Sequence, residues 1–189
     1  MKRNLRFKSG FQLAWVLLLA PIFTEAQCEL FKSEMESVKK YMTEVSHQVD
    51  SLQTFAESAA FAAHFVAART DARKVEVLMG KALTAADEAV SRASEAQYYS
   101  EVCGITEVQS HATDAERFTL DARDFAAEAY DNAKKANTAK NLGNIHYYMR
   151  KLQSASQQAQ RSADNAAYAA AIAHVSCTHG DDHTMASNR

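Results

Sequence analysis

Helix-breaking residues are almost absent from this chain. Its 189 residues include a single proline, Pro21, and five glycines. Proline inside a helix costs about 3 kcal/mol and glycine about 1 kcal/mol relative to alanine, so most of the chain contains nothing that interrupts a helix. Alternating β-branched residues, which mark strands, are missing over any useful length. These two absences predict an all-α protein.

The only tryptophan, Trp15, and the only proline fall in an amino-terminal segment that has the features of a secretory signal peptide. Four basic residues lie within the first eight positions, an apolar run covers residues 11–23, and residues 24–26 (Thr-Glu-Ala) form a small-x-small cleavage site. The apolar run is shorter than the roughly 20 residues that a membrane-spanning helix needs. We therefore expect residues 1–26 to be cleaved, which leaves a secreted or periplasmic protein without a stable membrane anchor.

The chain also has no excess of basic residues over acidic residues. Cleavage would remove four of the 21 basic residues and one of the 23 acidic residues, which leaves 17 basic and 22 acidic residues and a net charge of −5. Binding to nucleic acid phosphates needs a basic surface. The composition therefore disfavours nucleic acid as a partner.

Small and apolar residues recur at alternating steps of three and four along most of the mature chain, which is the heptad pattern of packed helices. We call each such row a seam. The seams run from Phe31 to Val66, from Val75 to Ala96, from Ala115 to Ala136 and from Leu142 to Cys177. Alanine predominates in them, and small side chains let helix axes approach closely. The pattern predicts an alanine-rich heptad core.

Three breaks separate the four seams. Gly104 and Gly143 stand where helices commonly end. At the first break Thr70-Asp71 supplies the only turn chemistry, so we place a turn at residues 69–71. If that turn is absent, residues 29–102 form one continuous helix of an extended coiled-coil dimer.

Four helices of near-equal length joined by short turns favour an antiparallel up-down-up-down four-helix bundle. The bundle domain covers residues 27–177, and a polar tail at 178–189 is expected to be disordered. The predicted helices are 29–68, 71–103, 106–141 and 144–177.

The narrow core limits the kinds of function that the protein can have. Alanine packing leaves little room for a haem, a flavin or a lipid between helices. No Ser-His-Asp arrangement, glycine-rich phosphate loop or pair of inward carboxylates can be placed in the sequence. We therefore expect neither catalysis nor a cofactor, and interpret the chain as an interaction or structural protein.

Two alternatives stay open. The first is an extracytoplasmic bundle that binds a small ligand or a metal. The second is an alanine-rich ice-binding protein, against which the many charged outer positions and the lack of a threonine ladder argue.

Two segments are apolar beyond their seam. Phe61 and Phe65 lie one turn apart beside the first seam, and Ala167 and Ala171 lie beside the fourth. A helix that is apolar nearly all round is usually buried on more than one side. These residues are therefore candidates for contact with a protein partner or with a second copy in a homo-oligomer. A membrane-surface role is less favoured, because Lys and Arg do not flank the face in sequence.

Three cysteines, Cys28, Cys103 and Cys177, lie at helix ends that meet at one end of such a bundle. Disulfides are the default in exported proteins. The first helix neighbours the second and the fourth, which are diagonal to each other, so Cys28 can pair with Cys103 or with Cys177 within the usual Cα separation of about 4.4–6.8 Å. The remaining thiol would link two chains or stay buried.

Two weaker site hypotheses concern histidine and tyrosine. Cys177, His179 and His183 are types that ligate metals, although their spacing matches no common zinc module. At the opposite end of the bundle, aromatic and imidazole side chains could line a small pocket. The candidates for that ligand pocket are His64, Tyr130, His146, Tyr147 and Tyr148.

Overall fold

The structure, a computed structural model, describes the backbone of residues 10–103 and 106–186 and the side chains of residues 26–101 and 106–177. Within these residues the chain forms four helices and no strand, which confirms the predicted all-α fold. The helices are α1 (Gly10–Phe61), α2 (Phe65–Cys103), α3 (Thr106–Thr138) and α4 (Leu142–Ala186).

The helices pack as a four-helix bundle. Each helix contacts its two neighbours along its length, α1 with α2 and α4, and α3 with α2 and α4, whereas the diagonal pairs hardly touch. Hydrogen bonds from Ser46 to Asp164 (2.6 Å) and from Gln160 to Asp50 (2.7 Å) link α1 to α4. A step of four residues forward on α1 is thus matched by four residues backward on α4, so these two helices run in opposite directions.

Most of the buried apolar side chains in the interior are alanines. The larger ones come mainly from α1 and α4, whereas α3 contributes alanines, Val108 and two polar residues, Thr119 and Asn132. Both polar side chains donate to carbonyl groups one turn earlier in α3, at 2.7 and 2.9 Å. Their hydrogen-bonding groups therefore have partners, as buried polar groups require.

The two middle seams differ from the expected rows. Leu78, Phe118 and Phe125 belong to the rows in sequence but are only half-buried and pack at the edge of the core. Met79 and Ala126 are buried beside them instead. Extra steps of four rotate the row around the helix, so the smaller neighbour faces the interior on α3.

The first turn lies at residues 62–64, so the predicted turn at 69–71 is wrong, and so is the continuous helix over 29–102. The turn chemistry of Thr70 and Asp71 is used inside α2. The Thr70 hydroxyl donates to the Val66 carbonyl (2.9 Å), and Asp71 accepts a hydrogen bond from Ser58 of α1 (2.6 Å). Val66, which ends the first seam in sequence, therefore opens α2 on the surface.

The other breaks lie closer to the prediction. α2 ends at Cys103 and α3 begins at Thr106, as expected. The last turn is at residues 139–141, where the Asn141 side chain accepts a hydrogen bond from the backbone N–H of Asn144 (2.8 Å) and caps α4. Gly143 therefore lies in the first turn of α4 and does not end α3.

Both ends of the chain extend helices beyond the predicted domain. α1 begins at Gly10, within the predicted signal peptide, and α4 continues to Ala186 through most of the tail that we expected to be disordered. None of the helices, over the residues described, contains a stretch long and apolar enough to cross a membrane.

Candidate interaction surface on the outer face of α2

The predicted interface residues lie in two places. Phe61 is 77% exposed at the end of α1, and Phe65 is half-buried at the start of α2, with the Arg69 guanidinium 5.9 Å from its ring centre. Ala167 and Ala171 on α4 are both half-buried. The structure therefore presents Phe61 to solvent and leaves the two alanines largely covered.

The predicted ligand-pocket residues lie in more than one place. His64 is exposed in the first turn, and the His146 ring lies 3.0 Å from the Ala62 carbonyl oxygen. Tyr147 and Tyr148 contact each other edge to face on α4, with ring centres 5.2 Å apart.

The surface grooves separate these residues further. Tyr130 lines a groove over α2, whereas His146 and Tyr147 line a different one on α4. Tyr130 therefore belongs to a different groove from His146 and Tyr147, whereas His146 lies beside the turn that contains His64.

Cys28 and Cys177 are both buried in the core, and no disulfide joins these two side chains. Continuing the pairing of α1 with α4 brings them to within about two helical turns of each other at one end of the bundle. The side chain of Cys103 lies outside the described residues, as do those of His179 and His183. Among the side chains that are described, no three metal-ligating residues come together.

The outer face of α2 carries a row of residues that lies outside the seams. Val66, Val77 and Tyr98 are 75%, 56% and 62% exposed. Their spacing, together with the exposed or half-buried residues between them, repeats about every three and a half positions and so follows one side of the helix. We call this row the α2 outer strip: Val66, Arg73, Val77, Gly80, Thr84, Ser91 and Tyr98.

Gly80 lies in a groove near the middle of the strip. The groove has a volume of about 780 Å³, and Tyr41 of α1 and Tyr130 of α3 stand on its two sides. A Cβ atom at Gly80 would lie 3.4 Å from Cε2 of Tyr130, which is close contact without overlap. The missing side chain therefore lowers the surface between the two tyrosines by about one methyl group.

Charge changes sign along α2 close to this groove. The segment 65–81 contains four basic and two acidic residues, whereas the segment 82–103 contains one basic and four acidic residues. α3 continues the acidic region, since the segment 106–127 has five acidic and two basic residues. One half of the α2 surface is therefore basic and the other half acidic.

Several of these charges have partners within the chain. Arg92 contacts Glu34 of α1 (3.4 Å) and Glu95 (3.5 Å), and these carboxylates, Glu34 first, raise the pKa of Arg92. Arg123 of α3 donates to Asp87 (3.0 Å). Arg73 and Glu88, in contrast, line the groove, together with Lys81, Glu44 and Glu76.

Two contacts hold the basic half of α2 in place. The Arg69 side chain donates to the carbonyl oxygen of Asn137 at the end of α3 (3.1 Å). Asp71 accepts from Ser58 (2.6 Å) and pairs with Lys74 (3.0 Å), and the Ser58 hydrogen bond, followed by Lys74, lowers the pKa of Asp71 despite its partial burial. The strip therefore lies on a helix that is fixed to both neighbours.

Comparison of the chain with protein-family models, with curated proteins and with solved structures finds no match.

Proposed function

We propose that this protein is a non-catalytic, extracytoplasmic interaction protein that acts by associating with further copies of itself. The α2 outer strip carries the proposal. Three large apolar side chains project from one face of a single helix, and that helix is fixed to its neighbours.

Burial of these side chains would supply the driving force. Removing apolar surface from water contributes roughly 25 cal/mol per Å². Val66, Val77 and Tyr98 are more than half exposed, so each has surface left to bury. Because they project from a rigid helix, little conformational entropy would be lost on association.

The interior supports a binding role more than a chemical one. Alanines supply most of its buried apolar side chains, and all but one of the side chains that line the groove over α2 are exposed or half-buried. Shallow surface of this kind suits a polypeptide partner better than an enclosed small molecule.

The extracytoplasmic location rests on the signal-peptide features of residues 1–26. In that compartment we expect Cys28 to form a disulfide with Cys103 or Cys177. The second pairing requires the two side chains to move together, because no disulfide joins them in the structure. The intact mass of the exported protein, measured with and without reductant, tests both expectations. A chain that retains residues 1–26 or keeps three reduced thiols contradicts them.

Self-association is tested by sedimentation velocity of the purified protein, expressed from the full chain, over a concentration series in reductant. We expect a monomer–dimer equilibrium that Tyr98→Ser shifts toward monomer. Tyr168→Ser is the matched control, because Tyr168 of α4 is also highly exposed, at 71%. A monomer at every concentration, or equal effects of the two substitutions, contradicts the proposal.

A further inference from the structure

We propose that two copies of the chain pack antiparallel through the α2 outer strip, about a two-fold axis that passes close to residue 82. This inference rests on the proposed self-association and adds its geometry. Closed two-fold dimers are the commonest soluble oligomers, and they require a surface that is complementary to itself. The strip meets that requirement in charge and in apolar contact, and small residues lie at its centre.

The charges along α2 are complementary to themselves when the helix is reversed. The sign of the charge changes at about residue 82, between the basic segment 65–81 and the acidic segment 82–103. An antiparallel pair centred there sets each basic segment against the acidic segment of the second copy. A parallel pair would set like charges against each other, which is unfavourable and directs the choice between the two orientations.

The same centre pairs the exposed apolar residues. Val66 and Tyr98 lie 16 residues before and after residue 82. In the antiparallel pair, Val66 of each copy therefore meets Tyr98 of the second copy at the two ends of the contact. Two large side chains that are 75% and 62% exposed in one copy would cover each other.

The shape of the strip suits a close approach at its centre. Gly80 and Thr84 lie on either side of residue 82, and Gly80 forms the floor of the groove between Tyr41 and Tyr130. Small residues at a crossing point allow two helices to come near each other. The two copies of α2 can therefore cross closely at Gly80 and Thr84.

A specific ion pair follows from this arrangement. Arg73 lies opposite position 91 of the second copy, one turn from Glu88, and both Arg73 and Glu88 line the groove. The two-fold axis repeats the pair, so each dimer contains it twice. Reversing one charge should therefore act at two places in the interface.

Crosslinking of single introduced cysteines tests the geometry. Thr84 and Thr70 are matched sites, because both are exposed and each hydroxyl donates to the carbonyl group four residues earlier, at 3.0 and 2.9 Å. Along the helix axis the two Thr84 positions of an antiparallel dimer lie about 6 Å apart, whereas the two Thr70 positions lie about 36 Å apart. A short bismaleimide should therefore join Thr84→Cys to itself and leave Thr70→Cys unjoined.

Peptide mapping by mass spectrometry assigns each crosslink and separates it from crosslinks of the native cysteines, with the unmodified protein as background. A link at position 84 alone supports the proposal. Equal linking at 70 and 84 indicates a parallel pair and overturns it. No link at either position in a protein that sediments as a dimer also overturns it while leaving self-association intact, whereas a monomer by sedimentation removes both.

Charge-reversal variants test the proposed ion pair independently of the crosslinks. We expect Arg73→Glu and Glu88→Arg each to weaken the dimer about tenfold or more, and the double variant to recover most of the loss. Arg150→Glu, on the outer face of α4, is the control and should leave the dimer unchanged. Weakening that the double variant does not recover would contradict the pairing of these two residues across the axis.

Discussion

The outer faces of α2 and α4 differ in a way that separates apolar exposure from complementarity. Both helices expose large apolar side chains, since α4 carries Tyr147, Tyr168 and Val175 at 52%, 71% and 51% exposure. Between residues 142 and 177 of α4, however, three basic residues accompany a single acidic one, Asp164, which accepts a hydrogen bond from Ser46 (2.6 Å). α2 instead carries two halves of opposite charge.

The two faces also differ in shape at their midpoints. Halfway between Tyr147 and Tyr168, α4 exposes Gln157 and Gln158, whose long side chains project from the surface. Between Val66 and Tyr98, α2 has Gly80 and Thr84 beside a groove. Exposed apolar residues are therefore not enough to specify a partner, and the distribution of charge and side-chain size decides which face complements itself.

The largest expected effect comes from placing a charge within the strip. Val77→Asp should weaken the dimer by about a hundredfold, roughly 2.7 kcal/mol, because a carboxylate would lose water in the contact. Tyr168→Asp on α4 should leave it unchanged. Sedimentation equilibrium measures both, and circular dichroism verifies the fold. Comparable losses from the two substitutions would show that the α2 face is not special.

Salt should distinguish the two faces next. Raising sodium chloride from about 0.05 M to about 0.5 M shortens the screening length severalfold, so a dimer held by opposite charges on α2 should weaken by about tenfold. Association through the apolar residues of α4 would be unaffected or strengthened by the same change. A dimer that tightens in salt contradicts the role given to charge.

A smaller effect concerns the contact that fixes the basic half of α2. Asp71→Asn should lower the free energy of unfolding by about 1 kcal/mol at pH 7, through the hydrogen bond from Ser58 and the pairing with Lys74. The pKa of Asp71 is lowered from 3.8 in the folded state. Its contribution is therefore present above that value and is lost as the pH falls through the lower folded pKa.

Chemical denaturation of both proteins at pH 7 and near pH 3 measures this difference. The gap between Asp71 and its amide variant should shrink at the lower pH. A gap that is unchanged, or that grows as the pH falls, would contradict the lowered pKa.

The smallest effect separates folding from association. Gly80→Ala should raise the stability of the bundle by up to about 1 kcal/mol, because alanine favours the helix and its Cβ fits beside Tyr130 at 3.4 Å. The same methyl group partly fills the groove, so the dimer should weaken by a few fold. Thermal melting and sedimentation should therefore shift in opposite directions, and parallel shifts would contradict the role of Gly80.

Much of the fold could be predicted from the sequence because the core rows contain a regular period. Residues from Phe31 to Ala59 on α1 and from Ile145 to Cys177 on α4 are buried at the positions that the heptads specify. The break between Cys103 and Thr106 was also predicted, since glycine marks it. The heptad period and the glycine at a helix end are both local features of the chain. A single sequence is therefore enough to detect them.

The first turn could not be predicted in the same way. Ala62, Ala63 and His64 contain no turn chemistry, and alanine favours helix. The chain reverses there because the packing of α1 against α2, including the contact between Ser58 and Asp71, determines the reversal. That tertiary preference has no local signature.

The α2 outer strip was missed for a related reason. Its period is present in the sequence, but a row of valine, arginine, glycine, threonine and serine resembles ordinary solvated surface. In sequence, Val66 moreover continues the first seam, whereas the turn at residues 62–64 places it on α2. The strip can be recognised as a candidate interface only when the exposure of Val66, Val77 and Tyr98 is considered together with the change in the sign of charge along α2.

The antiparallel arrangement of α2 in the dimer is tested most directly by the distances between nitroxide labels in double electron–electron resonance. One protein carries the label at Thr84 and another at Thr70. An antiparallel pair predicts a short separation for Thr84 and one longer by tens of ångströms for Thr70, since about 36 Å of helix axis separates the two Thr70 positions. Equal separations at the two positions would contradict it.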